Sequence, residues 1–270
     1  MLAEKFSLEG KTAMVTGGGT GLGKAISLAL ARAGADIALA ARRRQPLEET
    51  AAEVRGLGRR ALVILCDVTK SEEVNSMVET AIAEFGKVDI LVNNAGGVAG
   101  LTTKPIWEIS DEEWHIGIDN NLTGTFFCSR ALSKHMVERK SGTIINMASY
   151  FGFRGIRQNF MYGPAKAGVI LLTKSLALTL ASDGIRVNAL APGLIMTYPD
   201  LDQKYYGGKY IPVQRLGVPA EVGSLAVYLA SDASAYVTGQ AFVIDGGNEA
   251  AGYALTGYAP EMPLEAKEEP

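Results

Sequence analysis

The chain has 270 residues, 47% hydrophobic and 20% charged, enough apolar mass to bury a full core without disulfides or metals. Lys and Arg number 26 against 29 Asp and Glu, a net charge of -3, so the basic surplus that nucleic acid or an anionic membrane would need is missing. No run approaches a membrane-spanning length, and the start, Met1 to Phe6, lacks the basic-then-apolar order of a signal peptide; a cytoplasmic protein with small-molecule partners is expected. Cys66 and Cys128 both sit in apolar segments and read as core hydrophobes in a reducing compartment.

Apolar runs of strand length alternate with amphipathic helical runs along most of the chain. The first strand is Thr12 to Thr16, followed by a helix whose Leu22, Ile26, Ala29, Leu30 and Ala33 share a face. Further strands are expected at Ile37 to Ala41, Ala61 to Cys66, Ile90 to Val92, Thr143 to Met147, Arg186 to Leu190 and Ala241 to Ile244. Most are continuously apolar, as strands covered on both faces should be. Thr69-x-x-Glu72 and Ser110-x-x-Glu113 read as capping boxes. The fold class is therefore α/β: a doubly wound, seven-stranded parallel sheet with helices on both faces, in a single domain over residues 1–247. From Asn248 to Pro270 the rhythm is lost, and a partly ordered extension is expected.

Directly after the first strand comes Thr16-Gly17-Gly18-Gly19-Thr20-Gly21-Leu22-Gly23, with a helix opening behind it. Strand, glycine turn and helix N-terminus make an anion site. Glycine lets the backbone approach a pyrophosphate, and the free amides of the first helical turn face it. The spacing is wider than G-x-G-x-x-G and is similar to the T-G-x-x-x-G-x-G pattern of the short-chain dehydrogenase/reductase family. Four further segments follow in that family's order: Asp67-Val68, Asn93-Asn94-Ala95-Gly96, the Asn121 of Asn121-Leu122-Thr123-Gly124-Thr125, and Pro192-Gly193-Leu194-Ile195-Met196-Thr197. The chain thus resembles the family from about Leu8 to Gly247. The resemblance implies a Rossmann-type domain holding a nicotinamide dinucleotide. Gly17, Thr20, Gly21, Leu22 and Gly23 would meet its phosphates, Asp67 and Val68 its adenine. Asn94, Ala95 and Gly96 would line its length, and Pro192, Gly193, Ile195 and Thr197 would cover the nicotinamide.

Tyr162-Gly163-Pro164-Ala165-Lys166 puts a phenol and an ammonium four residues apart on one helix face. A free Tyr titrates near pH ~10, too high for ready proton exchange at neutral pH, and a positive Lys nearby favours the phenolate. Ser149 stands thirteen residues earlier at the end of the fifth strand, where a hydroxyl can hydrogen-bond a substrate oxygen. The resemblance assigns Tyr162 as general acid in reduction and base in oxidation, and Ser149 as orienter of the reacting oxygen. Lys166 would hold the nicotinamide ribose, and Asn121 a water that relays protons to it. Pro164 cannot donate to the carbonyl four residues back, so the helix is expected to begin between Met161 and Gly163, with Pro164 in its first turn.

His115 and His135 lack partners at metal spacing, so no metal site is expected; His135 reads as part of a solvated helix end. The pairs Glu48-Glu49, Glu72-Glu73 and Glu112-Glu113 suit helix starts, and Trp107 and Trp114 read as packing. Tyr150, Phe151 and Phe153 beside Ser149, with the aromatic, polar segment Tyr198 to Tyr210 as a lid, favour a cyclic or aromatic ketone or alcohol. Arg154 or Arg157 would be available for an acidic substituent, and ring packing at the lid or a subunit contact is the competing reading. Three activities stay open: a ketone or secondary-alcohol oxidoreductase, a 3-oxoacyl-thioester reductase, and a non-catalytic cofactor-sensing binding protein. The intact set Asn121, Ser149, Tyr162 and Lys166 speaks against the last. The resemblance also implies a homo-oligomer, dimer or tetramer. Ile116, Ile118, Leu122, Phe126 and Phe127, with Val169, Leu171, Leu172 and Leu176, supply more apolar surface than one core face needs, and Tyr253, Leu255 and Tyr258 could meet a neighbouring subunit.

NADP(H) is the expected cofactor. The acid that an NAD site uses to hold the ribose hydroxyls falls at Ala41, and Arg42 follows at once, with Arg43 beside it. Loss of the carboxylate removes repulsion of a 2'-phosphate, and a guanidinium can grip that phosphate bidentately. Thr20 stands where the family's other phosphate-binding base occurs, so NAD(H) remains possible.

Overall fold

Strands β1 (Thr12–Thr16), β2 (Asp36–Ala41), β3 (Ala61–Leu65), β4 (Ile90–Asn93), β5 (Gly142–Met147), β6 (Ile185–Pro192) and β7 (Ala241–Ile244) pair in parallel throughout. They form one sheet in the order β3-β2-β1-β4-β5-β6-β7 in the computed structural model, which describes residues 3–97, 104–155, 157, 159–197 and 211–250. The expected lid and the tail tyrosines fall outside the described residues.

Every residue of β1 is buried because the sheet is covered twice. Val15, Leu39 and Val92 point into a core with α1 (Gly21–Arg32), α2 (Arg44–Gly56) and α7 (Pro219–Ala230). Met14, Ala38 and Leu91, one residue out of phase, pack on the other face against α3 (Ser71–Phe85), α5 (Gly124–Arg139) and α6 (Tyr162–Leu180). Burying one Leu or Val side chain contributes roughly 1.5–3 kcal/mol, and the two faces share that load. The connection order reverses between β1 and β4, and a crevice opens there at the carboxyl ends of the strands. Among the described residues one helical stretch, Tyr162–Asp183, is long and apolar enough to cross a membrane; its Val169, Ile170, Ala177 and Leu180 are buried within the domain.

Ser110 forms its capping box on α4 (Asp111–Ile118): its hydroxyl accepts from Glu113 N–H, and Glu113 accepts from Ser110 N–H. The second box does not form. α3 starts at Ser71, after Lys70, because Thr69 turns its hydroxyl to the Asp67 carboxylate while Glu73 accepts the Asp67 amide. Pro164 lies in the first turn of α6, capped at Met161, and Asn159 accepts the Gly163 amide. Between α4 and α5 the helix continues as a π turn over Asp119–Thr123. His135 is half-buried and accepts from the Val88 amide, so it is not a solvated helix end. Trp107 and Trp114 do not pack as expected: they are 81% and 43% exposed, in a short 3-10 turn and in a helix that meets the body on one side only.

Candidate active site

The crevice has a volume of about 760 Å³, and the glycine turn forms one end of it. Gly17 and Gly21 hold φ of +66° and +53°, where a side chain would be strained. A Cβ on Gly23 would come within 2.1 Å of the Gly17 carbonyl oxygen, so the helix can start this close to the strand only without one. The turn is tied down on both sides. The Gly17 amide donates to Ala40 O, and the Asn94 side-chain amide donates to the Thr16 and Gly17 carbonyls. The Thr16 hydroxyl accepts the Asn94 and Ala95 amides. At the N-cap of α1, Thr20 has extended backbone and makes no side-chain cap, and the first turn carries no acid. Free helical amides and a positive dipole end thus face the crevice, as a pyrophosphate requires.

Further along the wall lie Ala41, Arg42, Arg43, Asp67 and Val68, a recess with basic and acidic groups. Partial burial disfavours the Asp67 charge, but hydrogen bonds from the Thr69 amide and hydroxyl and the nearby Arg42 charge outweigh it and hold the carboxyl below its usual range. Cys66 also lines this recess; burial first, then the Glu73 and Asp67 charges, push its thiol up to about 11, so it is a packing residue and no nucleophile.

Ser149, Tyr162 and Lys166 share the far wall with Ala95, Gly96, Pro192, Gly193 and Ile195. Thr197 approaches Gly21 from across the crevice: its methyl lies 3.7 Å from where a Gly21 Cβ would stand. Tyr162 opens α6 and Ser149 follows β5, so strand end and helix start meet here. Burial lifts the Tyr162 phenol above its ordinary value, and a hydrogen bond with Ser149 works against that rise. Lys166 is buried, its ammonium donates to Met147 O at 2.7 Å, and it stands 5.5 Å from the Tyr162 ring centre. Burial pushes the amine down to about 8. The ammonium is turned to a backbone carbonyl. No sequence signal marks that acceptor.

Asn121 does not line the crevice. It is fully buried in the π turn, its side-chain amide donates to Gly97 O and Gly117 O, and its Oδ1 accepts the Gly97 amide. The side chain thus holds the loop after β4. Tyr150 stacks on Phe151 at 4.0 Å and Phe151 stands edge-on to Tyr162 at 6.5 Å, so two of the three expected rings line the site, while Phe153 is exposed.

These residues fit a dinucleotide: a cradle that a Cβ would fill, unpaired amides at a helix start, and a phenol with a lysine at the other end. A family profile described as Enoyl-(Acyl carrier protein) reductase matches residues 17–249. The 3-oxoacyl-[acyl-carrier-protein] reductase of Synechocystis sp. is 39% identical over 246 residues, 89% of this chain and 98% of that one. The crystal structure of a short-chain type dehydrogenase/reductase from Mycobacterium marinum has a TM-score of 0.84 and 41% identity, covering 92% of this chain and 98% of its own. A 7α-hydroxysteroid dehydrogenase complexed with NADH and 7-oxo glycochenodeoxycholic acid has a TM-score of 0.83 at 31% identity, over 91% and 96% of the two chains. Profile, sequence and shape agree over most of the chain, which belongs to the short-chain dehydrogenase/reductase family of oxidoreductases.

Proposed function

We propose that the protein moves a hydride between a nicotinamide cofactor and a ketone or secondary alcohol, with Tyr162 as general acid in reduction and general base in oxidation. The observation that carries this reading is the shared wall: two hydroxyls, Ser149 and Tyr162, stand with the buried Lys166 in a crevice whose other end is an anion cradle. A bound reduced nicotinamide would supply the hydride. A phenol held above its ordinary value is protonated at neutral pH and can donate to a carbonyl oxygen that Ser149 orients. Lys166 would hold the nicotinamide ribose and favour the phenolate left after donation. Asn121 fixes the loop that carries Asn94 to Gly97 and would hold a water that relays protons to Lys166. Single-turnover oxidation of bound reduced cofactor by a ketone panel tests the reading, and absence of turnover with every ketone would favour a cofactor-sensing binding protein instead.

NADP(H) is the preferred cofactor on this reading. Ala41 offers no carboxylate to repel a 2'-phosphate, and Arg42 and Arg43 both face the crevice. Arg42→Ala is expected to lower kcat/KM for NADPH about tenfold or more and to change that for NADH little. A wild type that prefers NADH, or a variant with its NADPH preference intact, would remove the role of Arg42.

The rings of Tyr150 and Phe151 favour a cyclic or aromatic substrate. A second reading, 3-oxoacyl-thioester reduction, is favoured by the Synechocystis relative's activity. Faster turnover of 3-oxoacyl thioesters than of ring ketones in one panel would select it. The same reading has the enzyme working in the cytoplasm as a homo-oligomer.

A further inference from the structure

Behind the active site, four polar side chains are sealed in the core where apolar ones would be expected. Asn93 ends β4 and Asn146 is its register partner on β5; Ser129 comes from α5 and Thr173 from α6. All four are at most 2% exposed. Their bonds run in one line from helix to helix. Asn93 Nδ2 donates to Ser129 Oγ at 2.9 Å and to Asn146 Oδ1 at 2.8 Å, and Asn146 Nδ2 donates to Thr173 Oγ1 at 2.9 Å. Thr173 in turn donates to Val169 O in its own helix, which orients the hydroxyl lone pairs toward Asn146.

We propose that Ser129, Asn146 and Thr173, joined through Asn93, are positioning residues that fix α5 and α6 on the sheet and thereby hold Lys166 at the end of β5, beside Tyr162. Thr173 lies seven residues after Lys166, two turns along the same face of α6. Asn146 immediately precedes Met147, so α6 is tied to β5 at two neighbouring points, one by Thr173 and one by Lys166. That bond uses one of the three N–H donors of the ammonium and leaves two for a ribose and a phenolate, so the second tie can persist in catalysis. The first tie, deeper in the core, fixes where the second can form. The other end of the line does the same for α5, whose N-terminal continuation is the π turn that holds Asn121.

The energetics argue for geometry over stability. Asn93 Oδ1 is buried with no hydrogen-bond partner, a loss of about 1–3 kcal/mol. An apolar quartet of similar volume would avoid it, so the polar line makes better sense as a register device than as core filling.

The inference rests on the proposed oxidoreductase reading, and the experiment separates the two. Wild type, Thr173→Val and Thr173→Ser are compared in ketone reduction at saturating cofactor, recording kcat, KM, the pH dependence of kcat and the melting temperature. Thr173→Val is expected to lower kcat about tenfold with substrate KM within about twofold of wild type. Its alkaline fall in kcat moves to higher pH, because a loosened helix admits water to Lys166. Thr173→Ser, which keeps the hydroxyl, restores both. If Thr173→Val cannot be purified folded, Ser129→Ala is read in the same way at the α5 end. Wild-type kcat and pH profile in the variant, whatever the melting temperature, would overturn the positioning role. Absence of turnover in wild type would instead overturn the functional reading.

Discussion

At the scale of single residues, Lys166 couples chemistry to stability. Its amine titrates near 10.5 when free in the chain and at about 8 when buried. Folding therefore disfavours its charged form: the penalty is full below about pH 8 and fades as pH rises from there to 10.5. Two outcomes follow from that sign. The rate of ketone reduction should fall as pH climbs through about 8, since the charge that steadies the phenolate is being lost. Lys166→Met should abolish turnover yet raise stability at pH 7 by roughly 1–3 kcal/mol, with the gain shrinking toward pH 10; denaturant midpoints across that range check it. A variant less stable than wild type at pH 7 would show that the Met147 bond outweighs burial of the charge. The lysine, tyrosine and serine were all legible in the sequence because their spacing is local. Their hydrogen-bond partners were not: Met147 O is backbone, and Asn121 is occupied by two carbonyls and an amide that no side-chain pattern encodes.

Among the elements, the strands read true because most are apolar runs and the central ones are covered on both sides, and their ends moved by a residue or two, as where polar Asp36 and Asn93 extend the pairing. Helix starts were harder. Ser110 caps as its spacing implies, whereas Thr69 has a nearer acceptor in Asp67 and leaves α3 without its box. Pro164 is a first-turn residue, as its missing donor implied, in a place where no intrahelical donor is lost. Pro164→Ala is accordingly expected to change unfolding free energy by less than about 1 kcal/mol, against about 3 kcal/mol for a proline at a helix centre. Urea titration of the variant measures it, and a stabilisation of about 3 kcal/mol would mean the proline is strained after all.

For the whole molecule, part of the exposed apolar surface lies on the adjoining helices α4, α5 and α6. Leu171 and Leu178, seven residues apart on α6, are 66% and 85% exposed, and Phe126 of α5 and Ile116 of α4 are exposed as well. The proposed pairing of subunits would cover such a set on adjoining helices, whereas Val169, expected there, is buried in the chain's own core. Leu171→Asp with Leu178→Asp is expected to reduce the solution mass to that of one chain, measured by light scattering at micromolar concentration. A wild type already monomeric there would refute the pairing. The two tryptophans misread as packing, Trp107 and Trp114, belong with this surface question rather than with the core, since a single chain leaves both of them open to solvent.

The π turn at Asp119–Thr123 makes α4 and α5 one helix carrying an extra residue. An α-helix advances about 100° per residue, so that insertion sets everything before it out of phase with everything after it by about that angle. Deleting one residue between Asp119 and Thr123 would heal the hydrogen-bond ladder, and the reward would be a straighter helix. The same repair would rotate α4 by more than a quarter turn about its axis relative to α5. Gly117 would then turn away from Met161 and Asn121 from the Gly97 loop, two contacts that depend on the helix being out of phase. The local irregularity is therefore a fixed angular offset, and a perfect helix through this stretch would belong to a different active site.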